Sequence, residues 1–207
     1  MYVQRYGEFI RYAQYGTFQL AERSVVHLDR RGKYTDRVLD VLGVTLLFHP
    51  LGDTGQEWAY PVWNDPKKYS VSYQDDKFQV YRNNTAMPRA VIFYRNEVIS
   101  NGKAILQRFY TDDFDFRHIL LVESGSSINV PKNATGSAQI ISYTPNTVIV
   151  TTNSSHPGFL FLSDTDYPGW TATVNGKTTD ILRADYAFRA VRIPAGKATV
   201  AFNYDPF

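Results

Sequence analysis

The stretch WTATVNGKTTDIL, residues 170–182, decides the fold of this chain. Asn175-Gly176 is the strongest two-residue hairpin signal, because both residues readily take the positive φ angles of a type I′ turn. The residues on either side are rich in Thr, Val and Ile, which favour strands. The stretch therefore predicts an antiparallel hairpin with strands at 170–174 and 178–182.

The residues around this hairpin continue the β pattern in both directions. Further strands are predicted at 90–94, 118–123, 138–143, 147–152, 158–162, 187–193 and 198–204. Thr144-Pro145-Asn146 and Pro194-Ala195-Gly196 specify two of the turns, and Asn101 is predicted to cap a short helix. Strands this short and evenly spaced indicate an antiparallel β-sandwich of jelly-roll or Greek-key type, assigned to residues 86–207.

The chain before this sandwich mixes helix and strand signals. A helix is predicted from Thr35, with Gly43 at the position that follows its C-terminal cap. A buried strand is predicted at 44–48 and a hairpin at 70–83. Two stretches are less regular, 1–33 with a weak helical period and 51–68 with loop composition. We therefore expect residues 1–85 to form a small α/β lobe with a β-hairpin, either separate from the sandwich or continuous with it as one domain, and the whole chain to be mainly β.

The composition agrees with a β-rich domain and excludes several classes of function. Aromatic residues make up 15% of the 207 residues, with 15 Tyr and 13 Phe, and these residue types favour strands. A formal net charge of +2 without a Lys/Arg cluster argues against a nucleic-acid partner. The absence of Cys excludes disulfides and thiolate zinc sites. The longest apolar stretch, 41–48, is far shorter than the ~20 residues of a membrane span.

No set of residues predicts catalysis or metal binding, and no cofactor is expected. The histidines are scattered, and each is assigned a structural role: His27, His49, His118 and His156. Asp112, Asp113 and Asp115 could bind Ca²⁺, but no EF-hand spacing follows, so a solvated loop is the favoured interpretation. Asp164-Thr165-Asp166 has the D-x-D form with which nucleotide-sugar glycosyltransferases hold a metal. The parallel α/β fold of those enzymes is not indicated here.

The last fifty residues resemble a known family. LSDTDYPGWTATVNGK, residues 162–177, and ADYAFRAVRIPAGKATVAFNY, residues 184–204, are similar to the C-terminal extracytoplasmic region of YfhO-family bacterial membrane proteins. Two earlier stretches, 34–48 and 81–93, resemble the family more loosely. The resemblance implies a multi-span parent of GT-C type that transfers sugars from polyprenyl phosphates to cell-surface polymers such as teichoic acids. It also implies that the catalytic carboxylate lies between transmembrane helices, outside this sequence.

The residues that carry this resemblance are assigned a structural role. They are Asp164, Tyr167, Pro168, Gly169, Trp170, Gly176, Arg189 and Gly196. Trp170 shares a strand face with Ala172 and Val174, so it is expected in the core rather than as a platform for a sugar ring. The residues considered for contact with a ligand are Tyr167, Arg183 and Tyr186.

Arg189 is an unusual charge on an otherwise apolar face of its strand. The alternation of AFRAVRI places it inward with Val191 and Ile193, while Phe188 and Arg192 point the other way. A buried guanidinium needs a carboxylate partner, and three acidic residues are candidates: Asp164, Asp166 and Asp185. The rival interpretation makes Arg189 an exposed ligand for phosphate on a polymer.

Three functional hypotheses follow. The first is a non-catalytic accessory domain at the extracytoplasmic face of the bacterial cell membrane, with the transmembrane part of its own parent chain as partner and a cell-wall polymer or glycan as a second partner. The second is an independent carbohydrate-binding module, and the third is a soluble enzyme that uses Asp164 and Asp166. The sequence ends directly after a predicted strand, at Asp205-Pro206-Phe207, so we expect it to be a piece of a longer protein.

Overall fold

The computed structural model describes residues 4–20, 32–52, 65–128, 130–131 and 133–206. The chain divides into two compact units, Met1–Pro88 and Arg89–Phe207. His27 and most of the loop-like stretch 51–68 lie outside the described residues. Within the described residues, no helix has both the length and the apolar character needed to cross a bilayer.

The first unit contains two helices and a three-stranded antiparallel sheet. Its elements are α1 (Gln4–Tyr15), α2 (Thr35–Val41), β1 (Leu46–Pro50), β2 (Tyr69–Gln74) and β3 (Phe78–Asn83). In the sheet, β3 lies between β1 and β2. The predicted helix at Thr35 and the hairpin at 70–83 are confirmed, and Gly43 takes a φ of 66° just after α2.

The predicted buried strand at 44–48 is wrong in its burial and is displaced by two residues. β1 covers Leu46–Pro50, and Phe48 on one face is 69% exposed. On the opposite face, Leu47 packs against Leu39 of α2 and Tyr69 of β2. A short apolar run has the same appearance whether one or both faces of a strand are covered, so the sequence could not distinguish the two cases.

The second unit contains eleven strands and one helix among its described residues. They are β4 (Ala90–Phe93), β5 (Asn96–Val98), α3 (Gly102–Phe109), β6 (Leu120–Val122), β7 (Gly136–Tyr143), β8 (Thr147–Ser154), β9 (Gly158–Thr165), β10 (Trp170–Val174), β11 (Lys177–Thr179), β12 (Leu182–Ala184), β13 (Phe188–Ile193) and β14 (Gly196–Tyr204). The Asn101 side chain accepts a hydrogen bond from the Ala104 N–H at 3.2 Å, so the predicted helix cap is confirmed.

These strands form two sheets that pack as a sandwich. One sheet has the order β11-β10-β14-β8-β7 and the other has the order β4-β9-β13-β12-β6-β5. All described pairs are antiparallel except β5 with β6. Consecutive strands repeatedly cross from one sheet to the other, as in Greek-key topologies. The prediction of a mainly β protein with an antiparallel sandwich and a small α/β N-terminal lobe is confirmed.

The core between the sheets consists of aliphatic residues with Phe202. It includes Val148, Val150, Leu160, Leu162, Val191, Ile193, Val200 and Phe202. The other face of the six-stranded sheet is also buried, because the Phe93, Phe161 and Phe188 rings pack edge to face there. Phe188 therefore points away from Arg189 as predicted, yet it enters a second apolar layer rather than solvent.

The hairpin quoted first has the predicted turn but a shorter second strand. Asn175 and Gly176 have φ angles of 51° and 76°, as a type I′ turn requires. The predicted strand at 178–182 is wrong as one element, because β11 ends at Thr179 in the five-stranded sheet. The chain then crosses the sandwich, and β12 begins at Leu182 in the other sheet.

Candidate functional site

The stretch 162–177, which carries the family resemblance, meets two other strands near one end of the sandwich. They meet at the carboxylate of Asp164. Asp164 lies at the end of β9, where the pairing with β13 changes register between Phe188 and Arg189. This irregularity leaves Ser163 and Asp164 outside regular pairing with β13, so Asp164 lies beside Arg189. The Ser163 N–H donates instead to the carbonyl oxygen of Arg89 at 2.9 Å, which brings that second arginine to the same place.

Asp164 is the centre of a network of two arginines and one tyrosine. Its Oδ2 accepts from Arg189 Nη2 at 3.1 Å, and its Oδ1 accepts from Arg89 Nη1 at 2.8 Å. The Tyr143 hydroxyl donates to both carboxylate oxygens at 3.0 and 3.1 Å and accepts from Arg89 Nη1 at 2.6 Å. Because Tyr143 belongs to β7 and Asp164 to β9, the network joins the two sheets.

Arg189 is the most buried member of this network. It is 1% exposed, and its Cζ lies 3.8 Å from the centroid of the Trp170 ring and 5.6 Å from that of Phe202. Burial lowers the pKa of Arg189, and the nearby Asp164 carboxylate opposes that shift. The prediction of a buried, carboxylate-paired Arg189 is confirmed, with Asp164 as the partner.

Not all of the nitrogen atoms of the Arg189 guanidinium have a hydrogen-bond partner among the described residues. Its Nε and Nη1 are buried without a hydrogen-bond partner among the described residues, and so is Nε1 of Trp170. The stacked Trp170 ring supplies a cation–π contact, which offsets part of the desolvation cost. The Arg189 guanidinium covers one face of the Trp170 ring, so a sugar cannot stack on that face. Trp170 also packs against the aliphatic core.

The second acidic residue of the D-x-D stretch binds a different arginine. Asp166 Oδ2 accepts from Arg183 Nε at 2.9 Å, and Arg183 Nη1 donates to Glu123 Oε2 at 3.4 Å. The two carboxylates of the stretch are therefore each engaged by an arginine. Among the described residues, no cluster of three His, Asp or Glu could hold a metal ion.

The Tyr167-Pro168-Gly169-Trp170 turn is held by aromatic packing against the last strand. Tyr167 and Trp170 each contact the Tyr204 ring, at centroid distances of 5.4 and 5.3 Å. Gly169 has a φ of 101°, and a Cβ there would lie 2.6 Å from an atom of the Tyr204 ring. The turn therefore requires glycine for both backbone conformation and space.

The turn between β12 and β13 contains a buried carboxyl group. Asp185 and Tyr186 have φ angles of 44° and 76°, which are uncommon for residues other than glycine. Asp185 Oδ1 accepts from the Leu121 N–H at 2.9 Å, and burial raises the pKa of Asp185 to about 8. Asp185 therefore binds β6 and is not the partner of Arg189.

The remaining predicted residues lie in several places. Gly176 lies in an exposed turn and Gly196 is the exposed first residue of β14, and both have positive φ. Of the residues considered for ligand contact, Tyr167 and Arg183 are half-buried, whereas Tyr186 is 4% exposed and presents little surface to a ligand. In the acidic stretch, Asp113 pairs with Arg108 and Asp115 pairs with His118.

One cavity of about 490 Å³ was not foreseen from the sequence. Its lining includes Arg95, Arg117, His118 and Asp115. His118 was assigned a structural role at the start of a strand, but it lies in a turn before β6 and is largely exposed. The only sequence signal was the neighbouring pair Arg117-His118, because Arg95 is distant in the chain and joins them only through folding.

The fold and the network together define a β-sandwich domain whose two sheets are joined by an arginine–carboxylate cluster. Residues 127–207, which contain that cluster's Asp164 and Arg189, match the model of the family described as "Bacterial membrane protein YfhO". Over residues 127–207 the chain is therefore similar to this family. The stretches 34–48 and 81–93 lie outside the matched residues. No curated protein and no solved structure matches the chain significantly.

Proposed function

We propose that this chain is a non-catalytic accessory domain, on the extracytoplasmic side, of a multi-span membrane glycosyltransferase. The parent would transfer sugars from polyprenyl phosphates to cell-surface polymers of the teichoic-acid type. The family match to a bacterial membrane protein supports a membrane-bound parent. The parent's own transmembrane part is then the first partner of the domain, and the acceptor polymer is the second.

The ion pairs of Asp164 and Asp166 are the observation that best supports the accessory role. Asp164 binds Arg89 and Arg189, and Asp166 binds Arg183, so these carboxylates serve the packing of the sandwich. A general acid or a metal ligand needs a carboxylate that is available to substrate or ion. The geometry therefore favours a folding role for the D-x-D stretch over the soluble-enzyme hypothesis.

A labelling experiment in the full-length parent tests the location. The chain contains no Cys, so Lys177→Cys at the exposed start of β11 introduces a single thiol in this domain. In a parent without other cysteines, we expect a membrane-impermeant maleimide to label this thiol in intact cells. Labelling only after permeabilisation would place the domain on the cytoplasmic side and refute the proposal.

An activity experiment tests the absence of catalysis in the domain. The purified chain should transfer no sugar from a polyprenyl-phosphate or nucleotide donor, while the full-length parent should. Turnover by the purified chain that is lost in Asp164→Ala and also in Asp166→Asn would overturn the accessory role. The melting temperature of each variant distinguishes lost chemistry from lost folding.

A further inference from the structure

An open groove lies on the outer face of the five-stranded sheet in the second unit. Its volume is about 340 Å³, which lies within the usual range for small-ligand sites. The groove lies over β7, β8 and β14, whose other face is buried in the core of the sandwich. The outward side chains that these strands contribute to its lining are Ser137, Gln139, Thr151, Asn153, Lys197 and Thr199.

The strand register arranges these six side chains, which we call the polar array, in two rows. In the order β7, β8 and β14, the rows are Gln139, Thr151, Thr199 and Ser137, Asn153, Lys197. Directly paired side chains on neighbouring strands lie about 5 Å apart. The rows are about 7 Å apart, because they are separated by two residues along each strand. Hydroxyl, amide and ammonium groups are therefore presented at regular intervals.

The polar array has unused hydrogen-bonding capacity. Five of its side chains have no hydrogen-bond or ion-pair partner among the described residues, namely Ser137, Gln139, Asn153, Lys197 and Thr199. The Thr151 hydroxyl donates to the Gln139 carbonyl oxygen at 3.4 Å, and its own oxygen can still accept. A ligand in the groove can therefore bind to every member of the array.

The border of the groove is fixed by the turn between β10 and β11. The Asn175 Oδ1 accepts from the Thr199 N–H at 2.9 Å, and the Asn175 N–H donates to the Thr199 carbonyl oxygen at 2.8 Å. Asn175 also lines the groove. Because the turn and the strands are held by backbone hydrogen bonds, the array is ordered before a ligand binds, which lowers the entropic cost of binding.

The charge of this face differs from that of an ordinary solvated surface. Lys197 is the one charged residue in β7, β8 and β14, and the adjacent β10 contains none. A solvated surface usually carries charged residues of both signs at about 25–35% of its positions. Short Ser, Thr and Asn side chains also lose less rotamer freedom on binding than Lys or Glu side chains do. The face therefore suits a ligand that forms many hydrogen bonds and has no charge.

We propose that this groove binds a glycan, as a chain of neutral sugars across β7, β8 and β14. Sugar hydroxyls both donate and accept hydrogen bonds, as do the hydroxyl and amide groups of the polar array. The Lys197 ammonium adds a donor for a sugar oxygen. In the accessory role this glycan belongs to the acceptor polymer, so its identity rests on the proposed function, whereas the binding itself requires only this chain.

An NMR titration of the nitrogen-15-labelled 207-residue chain tests the glycan site. The probes are neutral oligomers of glucose, galactose, N-acetylglucosamine and N-acetylgalactosamine, with poly(glycerol phosphate) as the anionic reference. We expect saturable binding of at least one neutral oligomer, with amide shifts confined to β7, β8, β14 and the turn at Asn175. Raising the sodium chloride concentration from about 0.1 M to about 1 M should leave the affinity unchanged, because an uncharged ligand is not screened.

Two double variants test the role of the polar array. Gln139→Ala combined with Asn153→Ala removes two amide groups from the array and should weaken binding about fivefold or more. Gln107→Ala combined with Asn146→Ala is the matched control, because it removes the same groups at exposed positions outside the groove. This control should bind as the unaltered chain does.

The glycan site is refuted when no neutral oligomer binds, when poly(glycerol phosphate) alone binds, or when the amide shifts lie on other strands. Equal weakening by the two double variants would also refute it. The shift map of the unaltered chain locates the ligand even where a variant folds poorly, and the melting temperature identifies such a variant. Neither the membrane side nor the activity of the parent enters this measurement, so the thiol-labelling and sugar-transfer experiments still decide the proposed function.

Discussion

Replacement of Asp185 by asparagine should stabilise the second unit at neutral pH. The side chain is 2% exposed, and burial raises its pKa to about 8. Asparagine keeps the Oδ1 acceptor for the Leu121 N–H, and it tolerates a positive φ such as the 44° found here. The substitution therefore removes the ionisable group while it preserves the turn and its hydrogen bond.

The sign of the effect follows from proton linkage. The unfolded chain has an Asp185 pKa near 3.9, so it is ionised at neutral pH, whereas the folded chain holds the proton up to about pH 8. Folding then takes up one proton between about pH 4 and pH 8. The free energy of unfolding falls by about 1.4 kcal/mol for each pH unit in that window as the pH rises. At pH 7 the upper limit of the gain from Asp185→Asn is about 4 kcal/mol.

Urea unfolding followed by circular dichroism between pH 4.5 and pH 8.5 measures this effect. The quantity of interest is the difference in free energy of unfolding between variant and unaltered chain, since other titrating groups cancel in it. The difference should be near zero at the lowest pH and should grow as the pH rises. Asp180→Asn, at an exposed position, is the matched control and should give no pH-dependent difference. A difference for Asp185→Asn that stays constant with pH would refute the reasoning.

Three further substitutions test the Arg189 ion pair, the glycine at position 169 and the Asn101 helix cap. Arg189→Ala should cost roughly 3–5 kcal/mol in urea unfolding, because it removes one of the two arginines paired with the buried Asp164 carboxylate and leaves a cavity beside the Trp170 ring. Arg192→Ala, at an exposed position on the same strand, should cost about 1 kcal/mol or less, and equal losses would contradict the buried pair. Gly169→Ala should lower the melting temperature more than Gly176→Ala, because both glycines have positive φ but only Gly169 lacks space for a Cβ. Asn101→Ala should cost about 1 kcal/mol and weaken hydrogen-exchange protection in the first turn of α3, whereas unchanged protection would argue against the cap.

The elements that the sequence predicted well are those specified by neighbouring residues. The Asn175-Gly176 turn and the Asn101 helix cap depend on backbone preferences of a few adjacent residues, and both are confirmed. The inward direction of Arg189 follows from strand alternation, which is also a local property. The exposure of Phe48 could not be predicted in the same way, because it depends on whether another layer covers that face of the sheet.

The partner of Arg189 shows where local rules end. The sequence offered Asp164, Asp166 and Asp185 as candidates, and each lies within 25 residues of it in the chain. The choice is made by the register change between β9 and β13, which leaves Asp164 beside Arg189. A register change depends on how two whole strands pack, and no residue type at one position specifies it.

The sequence by itself determined the β-rich class, the main turns, the likeness to the YfhO family and the need of Arg189 for a carboxylate. Only the tertiary structure decided which carboxylate that is, that both faces of the six-stranded sheet are buried, and that Arg95 joins Arg117 and His118 around one cavity. The physical reason is the range of the interactions. Turn and strand preferences act within a few residues, whereas burial and electrostatic pairing depend on segments that meet only when the sandwich closes.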